Sequence, residues 1–160
     1  SIPVDAIDEY AFSRIEPIKR RINGFKRLEL KFPEKVYNRT LQRKFKDLDR
    51  LTLDLINVLK IGSGKAMVKS YVLLIESYRE FAEQIEKFTP PGSKEYITSF
   101  KGSMKSISNS LFQKVNQFEK ELDIQVNKNN VLSIDYGMKR RSSIPYSPAH
   151  ETVIMDKRGM

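Results

Sequence analysis

Residues 97–126 have the sequence ITSFKGSMKSISNSLFQKVNQFEKELDIQV, and their apolar pattern indicates the architecture of the chain. The large apolar residues of this stretch recur at spacings of three and four, which is the repeat of one helix face. They are Ile97, Phe100, Met104, Ile107, Leu111, Val115, Phe118, Leu122 and Val126. A repeat sustained over this length is typical of a helix packed lengthwise along its neighbours. We therefore expect a helix that begins after an N-cap at Ser93 and runs to about Asn127.

Prolines and glycines divide the preceding chain into further helical segments. Pro33 suits the first turn of a helix that ends before Gly62, and Pro90 ends the segment after that. Pro17 falls inside the first segment, where it either kinks one helix running to about Lys31 or opens a second helix. The connections are short. Together these features predict an all-α fold, an antiparallel up-and-down bundle of four main helices with the first one kinked or split at Pro17.

The segment from about Lys65 to Phe88 is the most apolar of the four. Its apolar side chains would cover well over half of a helix circumference, which leaves no broad face suited to water. They are Met67, Val68, Tyr71, Val72, Leu73, Leu74, Ile75, Tyr78, Phe81, Ala82, Ile85 and Phe88. We expect this helix to be the innermost element of the bundle.

The helical periodicity ends near the C-terminus. From about Ser133 the apolar residues no longer repeat, and two glycines and two prolines interrupt the remaining residues. Segments with few large apolar residues bury too little surface to offset the entropy of ordering. We expect a helical bundle domain over residues 1–132 and an irregular, disordered tail or linker over residues 133–160.

The positive charge of the chain is concentrated between Arg14 and Lys46. This stretch holds 12 Lys or Arg against three Glu, so its formal charge of +9 equals that of the whole 160-residue chain. The charges outside it nearly cancel. Segregated charge attracts partners of the opposite sign but does not determine the fold.

We interpret this stretch as a basic face presented to an acidic protein partner. From Arg27 to Arg43 a cation recurs at every fourth residue, which on one continuous helix would form a stripe, and Pro33 is where the stripe would break. The candidate partner-binding residues are Lys19, Arg20, Arg27, Lys31, Lys35, Arg39 and Arg43. The alternatives are nucleic-acid or anionic-membrane binding through the same residues, and a face that is merely solvated or paired internally.

A second candidate docking surface is a stripe of small residues on the last helix. It consists of Ser99, Ser103, Ser106 and Ser110, with Gly102 beside it. Small side chains permit another backbone to approach closely, so the stripe could seat the chain's own tail or another helix. Its plainer interpretation is a neutral polar face in water.

The sequence contains no recognisable catalytic constellation, so we expect an interaction or scaffold module and not an enzyme. With no Cys and a single histidine, His150, it lacks cysteine nucleophiles and thiolate metal sites. The Gly62–Lys65 turn lacks the spacing and the Ser or Thr of a phosphate-binding loop. Glu76, Glu80 and Glu83 share one side of a helix, where we expect a solvated face or one turned to the basic segment. We expect no metal, cofactor or small-molecule substrate.

The sequence says little about location. No apolar run approaches the roughly 18 residues of a membrane span, so we expect a soluble protein. The absence of Cys fits either redox compartment, and a start at Ser1 without Met is compatible with a trimmed exported protein. Compartment, partner identity and oligomeric state stay open.

Overall fold

The structure is a computed structural model that describes residues 2–129. Within that range it contains four α-helices and no strand: α1 (Val4–Arg27), α2 (Glu34–Leu59), α3 (Gly64–Lys87) and α4 (Lys94–Asn129). Consecutive helices run antiparallel, which confirms the predicted up-and-down bundle. The predicted tail over residues 133–160 lies outside the described residues.

Helix α1 passes through Pro17 without a break, so of the two sequence alternatives the split helix is wrong. The helix ends at Arg27 and not near Lys31, because residues 28–33 leave the helical conformation before α2 begins. Proline lacks the N–H that an interior helical residue donates. The continuous helix therefore forms despite the loss of one backbone hydrogen bond at this position.

Helix α3 is the innermost element, as predicted. It packs against each of the other three helices, and the side chains of Leu74, Ile75, Phe81 and Ala82 are at most 1% exposed. Helix α4 approaches only α3 along its length, burying Leu111, Val115, Phe118 and Leu122 from its apolar repeat. The bundle is thus a triangle of α1, α2 and α3 with α4 laid along the outer side of α3.

The helix starts agree with the sequence signals. The N–H of Ala66 donates to Ser63 Oγ over 3.1 Å at the start of α3, and the N–H of Tyr96 donates to Ser93 Oγ over 3.1 Å at the start of α4. Gly62 precedes the first of these caps with a φ of 94°, a conformation that favours glycine. Residues 60–63 are therefore an ordinary interhelical turn, and Gly64 and Lys65 already belong to the capped first turn of α3.

An aromatic cluster joins α4 to α2 at one end of the bundle. The Tyr37 ring lies 4.8 Å from Phe88 and 5.0 Å from Phe100, centroid to centroid. Phe32, in the connection between α1 and α2, contacts all three rings. Edge and tilted ring contacts of this kind stabilise beyond the area they bury. The cluster fixes the start of α2 against the end of α3 and the first turns of α4.

Candidate binding furrow between helices α1 and α2

The outer surface of α2 carries a strip of cations. At about 100° per residue, its five members lie within roughly 80° of the helix circumference. They are Lys35, Arg39, Arg43, Lys46 and Arg50, and all five are exposed. The apolar stripe that faces α3 occupies the opposite side of α2, where Leu48 and Leu55 are buried. Packing of α2 therefore turns these cations outward.

Three cavities follow one another along the outer junction of α1 and α2, and we call them together the furrow. The central cavity, of about 480 Å³, shares Arg21 with a neighbour of about 370 Å³. It shares Arg27 and Leu28 with a third cavity of about 310 Å³. The furrow extends from Tyr10 near the start of α1 to Lys31 beyond its end.

Only part of the charge along α1 and α2 is neutralised within the described residues. Arg21 Nη1 lies 2.6 Å from Asp54 Oδ2, and Arg43 Nε lies 4.0 Å from Asp47 Oδ2. Lys19 and Lys26 also have acidic partners. Within residues 2–129 the following cations have no ion pair: Arg14, Arg20, Arg27, Lys31, Lys35, Arg39, Lys46 and Arg50. The α1–α2 surface therefore keeps an excess of positive charge.

Lys44 differs from the other cations because it is 1% exposed. Its Nζ donates to the carbonyl oxygens of Phe25 and Leu28 over 2.6 and 2.7 Å and lies 4.5 Å from the Phe25 ring centroid. Burial lowers the pKa of Lys44 to about 8, and the nearby Glu80 and Asp47 oppose that shift. Phe25 and Leu28 line the central cavity, so this buried ammonium lies behind its floor.

The seven residues predicted as a basic face do not form one surface. Arg27 and Arg43 line the central cavity, and Lys31 lines the next one. Lys35 and Arg39 belong to the outer strip of α2. The remaining two, Lys19 and Arg20, lie on α1 outside the furrow, and Lys19 Nζ is 3.7 Å from Glu16 Oε1. The stripe that one continuous helix would carry from Arg27 to Arg43 is interrupted, because residues 28–33 are not helical.

Two arginines in the central cavity were not selected from the sequence. Arg21 faces α2 across the furrow, and Arg50 lies two helical turns beyond Arg43 on α2. The seven-residue step from Arg43 to Arg50 was the available signal for the second, since residues seven apart share a helix face. Arg21 becomes visible as a site residue only once the antiparallel register of α1 and α2 is known.

The serine stripe of α4 is exposed throughout. Ser103 Oγ and Ser110 Oγ donate to the carbonyl oxygens of Ser99 and Ser106, one turn earlier. A Cβ added at Gly102 would meet nothing within 4 Å. No helix of residues 2–129 packs on this stripe, so docking there stays a prediction about a partner outside that range.

Other charged groups fall into two sets. On α3, Glu80 Oε2 lies 3.4 Å from Lys26 Nζ and Glu76 Oε2 lies 4.0 Å from it, so this acidic side does face part of the basic segment. Between α3 and α4, Arg79 Nη2 donates to the buried carboxylate of Glu119 over 3.4 Å. These contacts tie α3 to its neighbours.

Metal-binding groups and membrane-spanning helices are both absent from residues 2–129. The described residues contain no group of three or more His, Asp or Glu side chains arranged to hold a metal ion. None of their helices has the length and apolarity to cross a membrane. His150 lies outside the described range. Comparison of the chain with protein-family models, curated proteins and solved structures finds no match.

Proposed function

We propose that this protein is a non-catalytic interaction module whose furrow binds an extended acidic segment of a partner protein. The observation that carries the proposal is the excess of unpaired cations along the furrow. Arg14, Arg27, Lys31 and Arg50 line it and have no ion pair within residues 2–129. Such a surface steers an anionic partner and speeds its association.

The dimensions of the furrow suit a peptide segment. From Tyr10 to Arg27 α1 rises about 26 Å at about 1.5 Å per residue, which corresponds to about eight residues of extended chain at about 3.3 Å each. Exposed apolar side chains lie at both ends, Tyr10 at 57% and Val36 at 37% exposure. A bound segment would therefore place acids along the middle and apolar residues near its ends.

The aromatic residues favour a protein partner over single-stranded nucleic acid. Tyr37 is 0% exposed, so its ring cannot stack on a base. Within residues 2–129 Tyr10 is the only exposed aromatic side chain. Proteins that bind single-stranded nucleic acid stack successive bases on several aromatic side chains beside their cations. A single exposed ring does not provide such a series.

A charge-reversal experiment tests the proposal. The variant carries Arg27→Glu, Lys31→Glu, Arg39→Glu and Arg43→Glu, and it should keep its helicity because the four residues are exposed and Glu favours helices. The probe is a fluorescent peptide of about ten residues with Glu, Asp and Ser along the middle and Leu near each end. Binding should weaken at least about tenfold, mainly through slower association, and the loss should shrink as salt rises.

A matched control reverses four exposed lysines elsewhere, namely Lys65, Lys94, Lys101 and Lys105. It makes the same change in net charge and should bind the peptide nearly as well as the parent. Equal weakening in both variants would show that only net charge matters and would contradict the furrow. Tighter binding of a short DNA duplex or of phosphatidylserine vesicles than of the peptide, lost in the furrow variant, would favour the nucleic-acid or membrane alternative.

A further inference from the structure

The basic side chains that line the central cavity of the furrow are all arginines. They are Arg21, Arg27, Arg43 and Arg50. Between Arg14 and Lys46 the chain holds six arginines and six lysines, so the local composition alone does not favour arginine. The lysines of that stretch lie on the outer strip, in the connection after α1, on α1 outside the furrow, or in the interior.

Arginine and lysine differ in what they recognise. A guanidinium group offers several N–H donors in a plane and binds two oxygens of one anion side by side, whereas an ammonium group acts as a point charge. A phosphate monoester carries a charge of about −1.5 to −2 and three acceptor oxygens. Two or more guanidinium groups that converge from different helices therefore match a phosphate better than a single carboxylate.

The charges inside the cavity leave room for such an anion. Arg21 is held by Asp54 at 2.6 Å, and Arg43 is loosely placed beside Asp47 at 4.0 Å with its side chain 72% exposed. Arg27 on α1 and Arg50 on α2 have no ion pair within the described residues. Asp47 is the only acid in the lining of the cavity. The cavity therefore keeps an excess of positive charge that a dianion would neutralise.

The cavity floor is fixed before any ligand arrives. The Leu28 carbonyl oxygen accepts from Lys44 Nζ over 2.7 Å and from Gln84 Nε2 over 3.2 Å. The buried ammonium group of Lys44 adds positive potential from behind the floor, where water screens it less than at the surface. At the wall, a Cβ added at Gly24 would meet nothing within 4 Å, so a bulky anion can approach there.

We propose that the central cavity binds a phosphorylated side chain of the acidic partner, through the guanidinium groups of Arg27 and Arg50 with Arg43 beside them. This inference rests on the proposed function of the furrow, since the phosphate would lie within the bound acidic segment. Phosphorylation of the partner would then act as the switch for binding.

The test compares three peptides on the full chain. They share the acidic sequence used above and differ at one central position, which carries phosphoserine, Glu or Ser. The phosphoserine peptide should bind at least about tenfold more tightly than the Glu peptide, because bidentate contacts to phosphate add to the charge. Asp47→Asn, which removes the acid of the cavity, should tighten binding of the phosphoserine peptide further.

The double variant Arg27→Lys and Arg50→Lys keeps every charge and removes the planar donors. It should lower the preference for phosphoserine over Glu to about twofold or less, and it should weaken binding of the phosphoserine peptide more than binding of the Ser peptide. Arg79→Lys, between α3 and α4, is the matched control and should leave the preference intact. Circular dichroism on each variant checks that the helices remain.

The following results would overturn the phosphate site. If the Ser and Glu peptides bind through the furrow but phosphoserine adds no preference, the phosphate site is wrong and the proposed function stands. If no acidic peptide binds, both fail. If the preference for phosphoserine survives Arg27→Lys and Arg50→Lys, the phosphate is bound elsewhere. If phosphoserine adds no preference but vesicles that contain phosphoinositides bind through Arg27 and Arg50, the phosphate that the cavity binds belongs to a lipid.

Discussion

Lys44 Nζ, on α2, donates a hydrogen bond to the carbonyl oxygen of Phe25 in the last turn of α1, over 2.6 Å. The last carbonyls of a helix have no partner within it and carry partial negative charge. A cation from the neighbouring helix therefore caps α1 at the point where the chain turns into residues 28–33. The same contact links the packing of the two helices to the floor of the furrow.

Replacement of Lys44 by Met should be tolerated. The two carbonyl oxygens keep other donors, since Phe25 O also accepts from the Leu28 N–H and Leu28 O accepts from Gln84. An apolar side chain of similar length often equals or improves on a buried charge. We expect the free energy of unfolding, from denaturant titration at pH 7, to change by less than about 1 kcal/mol or to rise. A loss above about 3 kcal/mol would show that the charge itself holds α1 and α2 together.

The same residue should make stability depend on pH. Because burial lowers the pKa of Lys44 from 10.5 to about 8, the unfolded chain binds more protons than the folded one between these values. The contribution of Lys44 to stability should therefore rise with pH across that window, by up to about 1.4 kcal/mol per pH unit. The measurement is the difference in unfolding free energy between the parent and Lys44→Met at pH 7, 8, 9 and 10. A difference that stays constant contradicts the shift.

Tyr37→Phe should stabilise the protein. Tyr37 Oη is buried and has no hydrogen-bond partner in the described structure, and an unsatisfied buried hydroxyl costs about 1–3 kcal/mol. Burial raises the pKa of Tyr37 to about 12, so the parent should lose stability as pH rises from 10 to 12 and the advantage of Phe should grow there. Thermal unfolding at pH 7 and at pH 10.5 measures both effects. A less stable Phe variant would mean that the hydroxyl has a partner.

Leu74→Ala should be among the costliest single truncations. Leu74 is 1% exposed in the middle of α3, and removal of a buried leucine side chain leaves a cavity and costs about 2–5 kcal/mol. Leu53→Ala is the control, because Leu53 is 46% exposed and should cost about 0.5 kcal/mol or less. Equal losses in the two variants would contradict the central place of α3.

Pro17→Ala should stabilise α1. The helix continues on both sides of Pro17, so alanine can restore the missing N–H donor without any change of path. We expect a gain of about 1–3 kcal/mol in the free energy of unfolding, less any benefit that proline brings by restricting the unfolded chain. Chemical denaturation followed by circular dichroism gives the value. An unchanged or lower stability would show that the local geometry of α1 depends on the proline ring.

The helices were readable from the sequence because Pro33, Gly62 and Pro90 mark their limits and their apolar residues repeat with the helix period. The burial of Lys44 was also implicit, since residue 44 lies three after Leu41 and four before Leu48 on the apolar stripe of α2. The furrow could not be predicted from the sequence. Its arginines come from two helices, and which of them lie close together depends on how far residues 28–33 offset α2 against α1.

The position of α3 between the furrow and α4 has a consequence for amide hydrogen exchange. Amides of α3 should exchange only through global unfolding, because this helix contacts all the others and the most buried segments open last. An acidic peptide in the furrow should slow exchange in α1 and α2, which form its walls. The first turns of α4, whose side chains are largely exposed, should exchange at the same rate with or without the peptide, so a partner bound on one side leaves the serine stripe free for another.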